Sequence, residues 1–303
     1  MFPRCRTFIR ISLTLWIALG LSACASFFPR GPEPTPSQTP TGTFTPEPPT
    51  ATPEPMALTV NGEGVSFVEF EAEVARYLSA QEALGKTVSS ADAASAVIDE
   101  FVAQLLLAQA ARAEGFTLDE AALQARIDSL AAQVGGAEAL AQWQSEHGYT
   151  DQTFRSGLRR AAEAAWMRDK IVMAVPSTAE QVHIQQILLY NEGTAQSFLS
   201  RLRDGADFDE LALDADPFTR GDLGWVPRGY LLNPQIEEAA FALAVGEHSD
   251  VIATDVGFHI VRVLARDLER PLSPDAYLAL QELALKNWIE EQRQQANIVL
   301  APQ

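Results

Sequence analysis

Ten of the 18 prolines lie within the 27 residues from Pro29 to Pro55, interleaved with Thr, Glu and Ser. Proline fixes φ and offers no backbone donor, so a stretch this rich in it builds neither helix nor sheet and cannot bury a core. The tract therefore divides the chain: a folded body must begin after it, and whatever precedes it is a separate segment. Extended as polyproline II at about 3.1 Å per residue, it reaches up to roughly 80 Å and reads as a spacer. A disordered or glycosylated tail of no set length has the same composition.

Ahead of the tract, Arg4, Arg6 and Arg10 precede an apolar run, Ile11 to Leu21. That run is too short to span a bilayer comfortably and has the form of a secretory signal peptide. It ends in Leu21-Ser22-Ala23-Cys24, which resembles the bacterial lipoprotein box. The resemblance implies cleavage just before Cys24 and a diacylglyceryl thioether on it, an anchor that multiple acyl chains make firm. Cleavage would take the 22 basic residues down to 19 against 40 acidic ones, a net charge of −21. Such a chain, with no cluster of Lys and Arg, lacks the basic face that nucleic-acid binding needs. With Cys5 removed and Cys24 lipidated, no thiol is left for a nucleophile, a redox motif or a thiolate metal site.

The body opens with Ala57-Leu58-Thr59-Val60, Asn61-Gly62, then Val65 and Phe67, an alternation around a turn dipeptide that predicts a hairpin. Helical spacing follows. Val97, Phe101, Leu105 and Ala108 predict one apolar face, and Phe154, Leu158, Ala161, Ala165 and Trp166 another. Thr117 to Glu120 has the form of a capping box, and Gly135-Gly136 separates helices, so residues 67–174 read as about five helices. Pro176 ends that pattern. Val182 to Tyr190 then reads as a strand, Thr194 to Arg203 as a helix, and 204–234 as a loop-rich stretch. Val251-Ile252 and Phe258 to Leu264 bracket a turn and predict two antiparallel strands. Ser273-Pro274 supplies an N-cap and first-turn proline for a last helix ending near Ala296, with Tyr277, Leu280, Leu283 and Trp288 on one face.

Four ordered blocks carry a resemblance. They are Phe208-Asp209-Glu210-Leu211-Ala212, Gly221-Asp222-Leu223-Gly224-Trp225, Glu237-Glu238-Ala239-Ala240-Phe241-Ala242-Leu243 and Thr254-Asp255-Val256-Gly257-Phe258-His259-Ile260. Together they resemble the parvulin family of peptidyl-prolyl isomerases. With the lipoprotein box and the flanking helices, the arrangement resembles the extracytoplasmic foldases of the SurA and PrsA type. The resemblance implies an α+β fold: a helical SurA-like chaperone domain closed by a C-terminal helix, with an inserted parvulin-like domain of a small antiparallel sheet and surrounding helices. The expected divisions are a signal peptide at 1–23, the lipidated cysteine and linker at 24–55, the helical domain at 56–176, the parvulin-like domain at 177–268, and a helix and strand at 269–303 that pack back on the helical domain. Ile298-Val299-Leu300 would then pair near Leu58 to Val60.

By the same resemblance His259 is one of two facing histidines, Thr254 lies in their hydrogen-bond network, and Asp216 sits near the twisting amide. Leu231 or Leu232 and Ile236 fall at the proline-ring pocket, with Phe241 on the supporting helix. The chain departs from the pattern in Val182-His183-Ile184-Gln185-Gln186-Ile187-Leu188, where Gln186 stands in place of the second histidine, and in Ile236, where the family has Phe. Gln donates and accepts hydrogen bonds but holds no titratable proton. His183, three residues away, reads as structural, and His147 and His248 take no role. The acidic Glu290 and Glu291 read as a solvated helix face.

The chemistry implied needs neither metal nor cofactor. Rotation about an Xaa-Pro bond faces a barrier of about 18 to 20 kcal/mol, and a dry pocket with placed donors and acceptors lowers it by favouring the twisted amide. The expected partners are unfolded or Xaa-Pro-containing polypeptides, with no nucleic acid, and the expected place is the extracytoplasmic face of a bacterial membrane. Two readings stay open: a lipid-anchored isomerase, and a client-binding chaperone whose parvulin domain holds without catalysing.

Overall fold

The computed structural model describes residues 54–301. The expected signal peptide, Cys24 and nearly all of the Pro/Thr tract lie outside the described residues. Two strands, β1 (Met56–Val60) and β2 (Glu63–Ser66), lead into five helices: α1 (Phe67–Ala83), α2 (Ser90–Ala113), α3 (Glu120–Val134), α4 (Ala137–Glu146) and α5 (Asp151–Met173). Then come β3 (Thr178–Leu189), α6 (Glu192–Arg203), α7 (Phe208–Ala215), β4 (Asp222–Pro227), α8 (Pro234–Ala242), β5 (Ile252–Thr254) and β6 (Gly257–Pro271). The chain closes with α9 (Pro274–Gln295) and β7 (Ile298–Leu300). The α+β architecture read from the sequence is the one observed.

The opening hairpin turns at Asn61 (φ 51°) and Gly62 (φ 86°), the left-handed pair that a two-residue connection requires. Its free edge takes the returning C-terminal strand, giving the antiparallel order β2-β1-β7 with Leu58 opposite Leu300 and Val60 opposite Ile298. Asn61 secures that return, donating its N–H to the Asn297 carbonyl (2.8 Å) and accepting from the Asn297 N–H (2.9 Å) through its side chain. Leu58, Val60 and Val65 pack on Val97, Phe101, Val102, Leu105 and Leu106 of α2, with Trp288 of α9 against the same cluster.

Helix α2 is buried on more than the one face its spacing suggested. Leu107 and Ala111 are also covered, because α5 and α9 pack against them through Ala164, Met167 and Leu285. The face assigned to α5 holds in part: Leu158 and Trp166 pack against buried clusters, but Ala161 is exposed and the buried positions are Arg160, Ala162, Glu163, Ala164 and Met167. The two charges are paired in place: Arg160 with Glu69 (2.5 Å), its guanidinium 5.0 Å from the Phe101 ring centroid, and Glu163 with Arg112, which also holds Glu63 (2.5 Å). The supposed capping box at Thr117 is not formed. Asp119 is the N-cap of α3 and accepts from the Ala122 N–H (2.8 Å), while a capping box joins Thr150 and Thr153 at the start of α5.

The inserted unit is a four-stranded antiparallel sheet, β4-β3-β6-β5. Strands β3 and β6 are much longer than the apolar runs that announced them, pairing from Thr178 opposite Pro271 to Leu189 opposite Phe258. Their polar ends are held by cross-strand charge, as in Arg266 with Glu180 (2.5 Å). The stretch 204–234 contains α7 and β4, so it is less irregular than its Gly, Asp and Pro content implied. Helices α6 and α7 cover one face of the sheet through Leu199, Leu202, Phe208 and Leu211 on Ile187 and Ile260. Helix α8 covers the other through Ala240 and Phe241 on Val182, Ile184 and Val263. No helix among the described residues is long and apolar enough to cross a membrane.

Candidate functional site

Side chains two positions apart along paired strands share a face, and this places Gln186 of β3 diagonal to His259 of β6. Leu188 lies directly opposite His259, and Gln186 opposite Val261. The His259 Nδ1 is 3.0 Å from the Gln186 Oε1, and its Nε2 is 2.9 Å from the Thr254 hydroxyl. Thr254 ends β5, two residues before β6 begins, and its hydroxyl accepts from the Val256 N–H (3.2 Å). The row Gln186, His259, Thr254 is thus fixed by backbone at its Thr254 end. Burial pushes the His259 imidazole below its ordinary range, with the nearby Asp255 carboxylate pulling the other way, so its surroundings favour the neutral ring. An amide offers both a carbonyl oxygen and an NH2 group, so Gln186 satisfies either tautomer of the neutral ring.

Two glycines make this row possible. Gly221 (φ 70°) lies so close to β3 that a Cβ there would overlap the Gln186 carbonyl, and its own carbonyl accepts from the Gln186 N–H (2.9 Å). Gly257 (φ 146°) starts β6 where a Cβ would fall 2.7 Å from the Leu189 carbonyl oxygen. Gly221 of the second block and Gly257 of the fourth are therefore sites of close backbone approach, whereas Gly224 faces open space.

The remaining predicted residues divide. Beside Thr254 an open cavity of about 600 Å³ is lined by Asn233, Pro234, Gln235, Ala253 and Asp255. Ile236, in the first turn of α8, is buried and is not among the residues that line it, and Asn233 caps that turn by accepting from the Gln235 and Ile236 N–H groups. Phe241 is buried in the cluster beneath α8, and Leu231 packs against the same cluster. Leu232 is fully exposed and is not brought together with them. Asp216 ends α7 and spends its carboxylate on its own turn, accepting from the Phe218 (3.0 Å) and Thr219 (3.2 Å) N–H groups and the Thr219 hydroxyl. Those bonds, the Thr219 hydroxyl foremost, hold its pKa below the usual carboxylate range. None of them reaches His259. Asp216 is linked to the row only through the loop that runs to Gly221. His183 lies apart from the row, bonded to Asp222 (2.8 Å) and stacked on Trp225.

Sequence reasoning missed three residues on the opposite face of β3. Gln185, 4% exposed, donates to the Arg220 carbonyl (2.8 Å) and to Asp209 (3.1 Å) and accepts from Arg262 (2.7 Å). Arg262 also donates to Asp209 (2.7 Å). No periodicity marks them, since polar residues on a strand read as solvent-facing. The site contains no nucleophile, and among the described residues no group of three or more His, Cys, Asp or Glu is arranged to hold a metal. What it offers is a row of hydrogen-bond donors and acceptors whose Thr254 end borders a cavity.

Residues 171–265 match the PPIC-type PPIASE domain, and residues 1–166 match the SurA-like N-terminal domain. The foldase protein PrsA of Geobacillus sp. (strain WCH70) is 35% identical over 98 residues, which are 31% of this chain and 35% of that protein. The chaperone SurA of Methylobacillus flagellatus is 34% identical over 144 residues, 41% of this chain and 33% of that one. The match thus spans about a third of the length of these relatives. A crystal structure of the peptidylprolyl isomerase PrsA from Bacillus anthracis aligns at 22% identity and a TM-score of 0.37, covering 64% of this chain and 88% of that one.

Proposed function

The chain belongs to the family of SurA-like N-terminal domains and carries a PPIC-type PPIase domain, and from that premise we propose that it is a foldase catalysing cis–trans isomerisation of Xaa-Pro bonds in polypeptide clients. The proposal includes attachment by a lipid on Cys24 at the extracytoplasmic face of a bacterial membrane, with the Pro/Thr tract as spacer. The observation that supports the catalytic reading is the hydrogen-bonded row Gln186, His259 and Thr254, whose Thr254 end borders the cavity by α8.

Twisting the amide breaks its conjugation, moves electron density back onto nitrogen and leaves a carbonyl that no longer resembles its planar form. A site accelerates the rotation only by interacting better with that state than with either planar one. His259, neutral and held at both ring nitrogens, supplies a dipole that needs no reorganisation during the turn. Thr254 and Gln186 set its orientation, Ile236 in the first turn of α8 lies beside the lining residue Gln235 as the nearest apolar side chain of that turn, and Phe241 and Leu231 anchor α8 on the sheet. Asp216 acts through the loop it caps.

The test is the isomerisation rate of a series of Xaa-Pro peptides with the full chain in detergent. The wild type accelerates exchange, and His259→Ala lowers kcat/KM by about tenfold or more, the scale of one or two lost hydrogen bonds. No acceleration of any peptide overturns the reading. Gln186 favours one alternative, a client-holding chaperone without catalysis, because the resembled pattern has an imidazole there. That reading predicts suppression of client aggregation that His259→Ala leaves unchanged.

A further inference from the structure

We propose that Gln185, Asp209 and Arg262 are positioning residues that dock the loop from Asp216 to Gly221 against β3 and so hold Gln186 in register with His259. The inference rests on the site assigned above. Consecutive strand residues point to opposite faces, so Gln185 lies behind the site while Gln186 lies in it. Both reach the same piece of loop: the Gln185 side chain donates to the Arg220 carbonyl (2.8 Å), and the Gln186 backbone N–H donates to the Gly221 carbonyl (2.9 Å). The two loop residues are in the left-handed region, Arg220 at φ 53° and Gly221 at φ 70°. For Arg220 that conformation is strained, and it persists only where the surroundings impose it.

Arg262 decides which way the Gln185 amide faces. Its guanidinium takes the Gln185 Oε1 (2.7 Å), which leaves the NH2 group to point at Arg220 and Asp209. The Phe208 ring, 4.6 Å from the guanidinium carbon, fixes the cation from below. Arg262 Nε is buried without a hydrogen-bond partner, the sole such side-chain atom among the described residues. An orphaned donor is costly, and here the arginine keeps a geometry that satisfies the amide in preference to its own. Asp209, in the first turn of α7, closes the cluster by accepting from both (2.7 and 3.1 Å). The start of the α7 segment and the end of its loop are thereby tied to one buried amide.

Three full-chain variants test this. Gln185→Glu keeps size and the bond to Arg262 but loses the donor to Arg220; Gln185→Met removes all three bonds; Asp209→Ala changes a half-exposed position that folding tolerates. Two readouts are compared with thermal unfolding. One is amide hydrogen exchange at Gln186, which needs no substrate; the other is kcat and KM on an Xaa-Pro peptide. The expected result for those variants that unfold cooperatively is exchange at Gln186 about tenfold faster and kcat about fivefold lower, with KM within twofold. Asp209→Glu restores both. Exchange at Gln186 within twofold of wild type in Gln185→Met and Asp209→Ala overturns the inference. If the wild type accelerates no peptide, the isomerase reading fails, and the exchange measurement still decides this one.

Discussion

At the scale of single residues, the site turns on one buried imidazole and the amide beside it. Because burial lowers the His259 pKa in the folded chain, folding favours the neutral ring. Its contribution to stability is complete above the ordinary histidine value of 6.5 and is lost as pH falls through the depressed folded value. Urea unfolding at pH 7 and pH 5 should therefore show a larger drop for wild type than for His259→Gln, and equal drops would contradict the assigned burial effect. His259 and Thr254 were legible because they sit in a contiguous block with a recognisable order. Gln185 and Arg262 were not, since they meet across 77 residues of sequence and each alone looks like a surface residue on a strand.

At the scale of elements, the five helices and the hairpin were legible because their signals are local: apolar spacing, an Asn-Gly turn, a proline stop. The inward face of α5 was hidden because burial there runs against the hydrophobic pattern. Arg160 and Glu69 have side chains only 9% and 12% exposed. Removing one partner from such a pair strands the other charge and costs about 3 to 5 kcal/mol, whereas replacing both with apolar residues is far cheaper. Chemical denaturation should show Arg160→Met strongly destabilised and the double variant Arg160→Met, Glu69→Leu recovering most of the loss. A double variant as unstable as the single one would mean that the helix needs the charges for more than their mutual attraction. The ends of β3 and β6 escaped notice for a related reason, because charged cross-strand pairs extend the ribbon beyond its apolar centre.

At the scale of the molecule, closure depends on the last strand. The pairing of Ile298 to Leu300 with Leu58 to Val60 followed from the resembled architecture, and the hydrogen bonds of Asn61 with Asn297 realise it. The closing helix approaches the inserted unit at Gly229 (φ 83°), which lies against Leu280 and Leu283 of α9 and whose N–H donates to the Glu237 carboxylate (2.8 Å). No pattern in the sequence marks this glycine, because its constraint comes from a helix more than 50 residues later. Gly229→Val introduces a side chain that overlaps Leu283 in a backbone conformation unsuited to it, so a loss of about 2 kcal/mol or more is expected in unfolding. Adding Leu283→Ala should return part of that loss, and no recovery would show that backbone strain alone is responsible.

The central claim is that a neutral His259 held between Gln186 and Thr254 accelerates rotation about Xaa-Pro bonds. Its most direct test is the exchange rate of Xaa-Pro peptides with the full wild-type chain beside His259→Ala. Clear acceleration by the wild type and a loss of about tenfold or more in the variant are expected. Equal rates for the two chains, or none above the uncatalysed exchange, would contradict it.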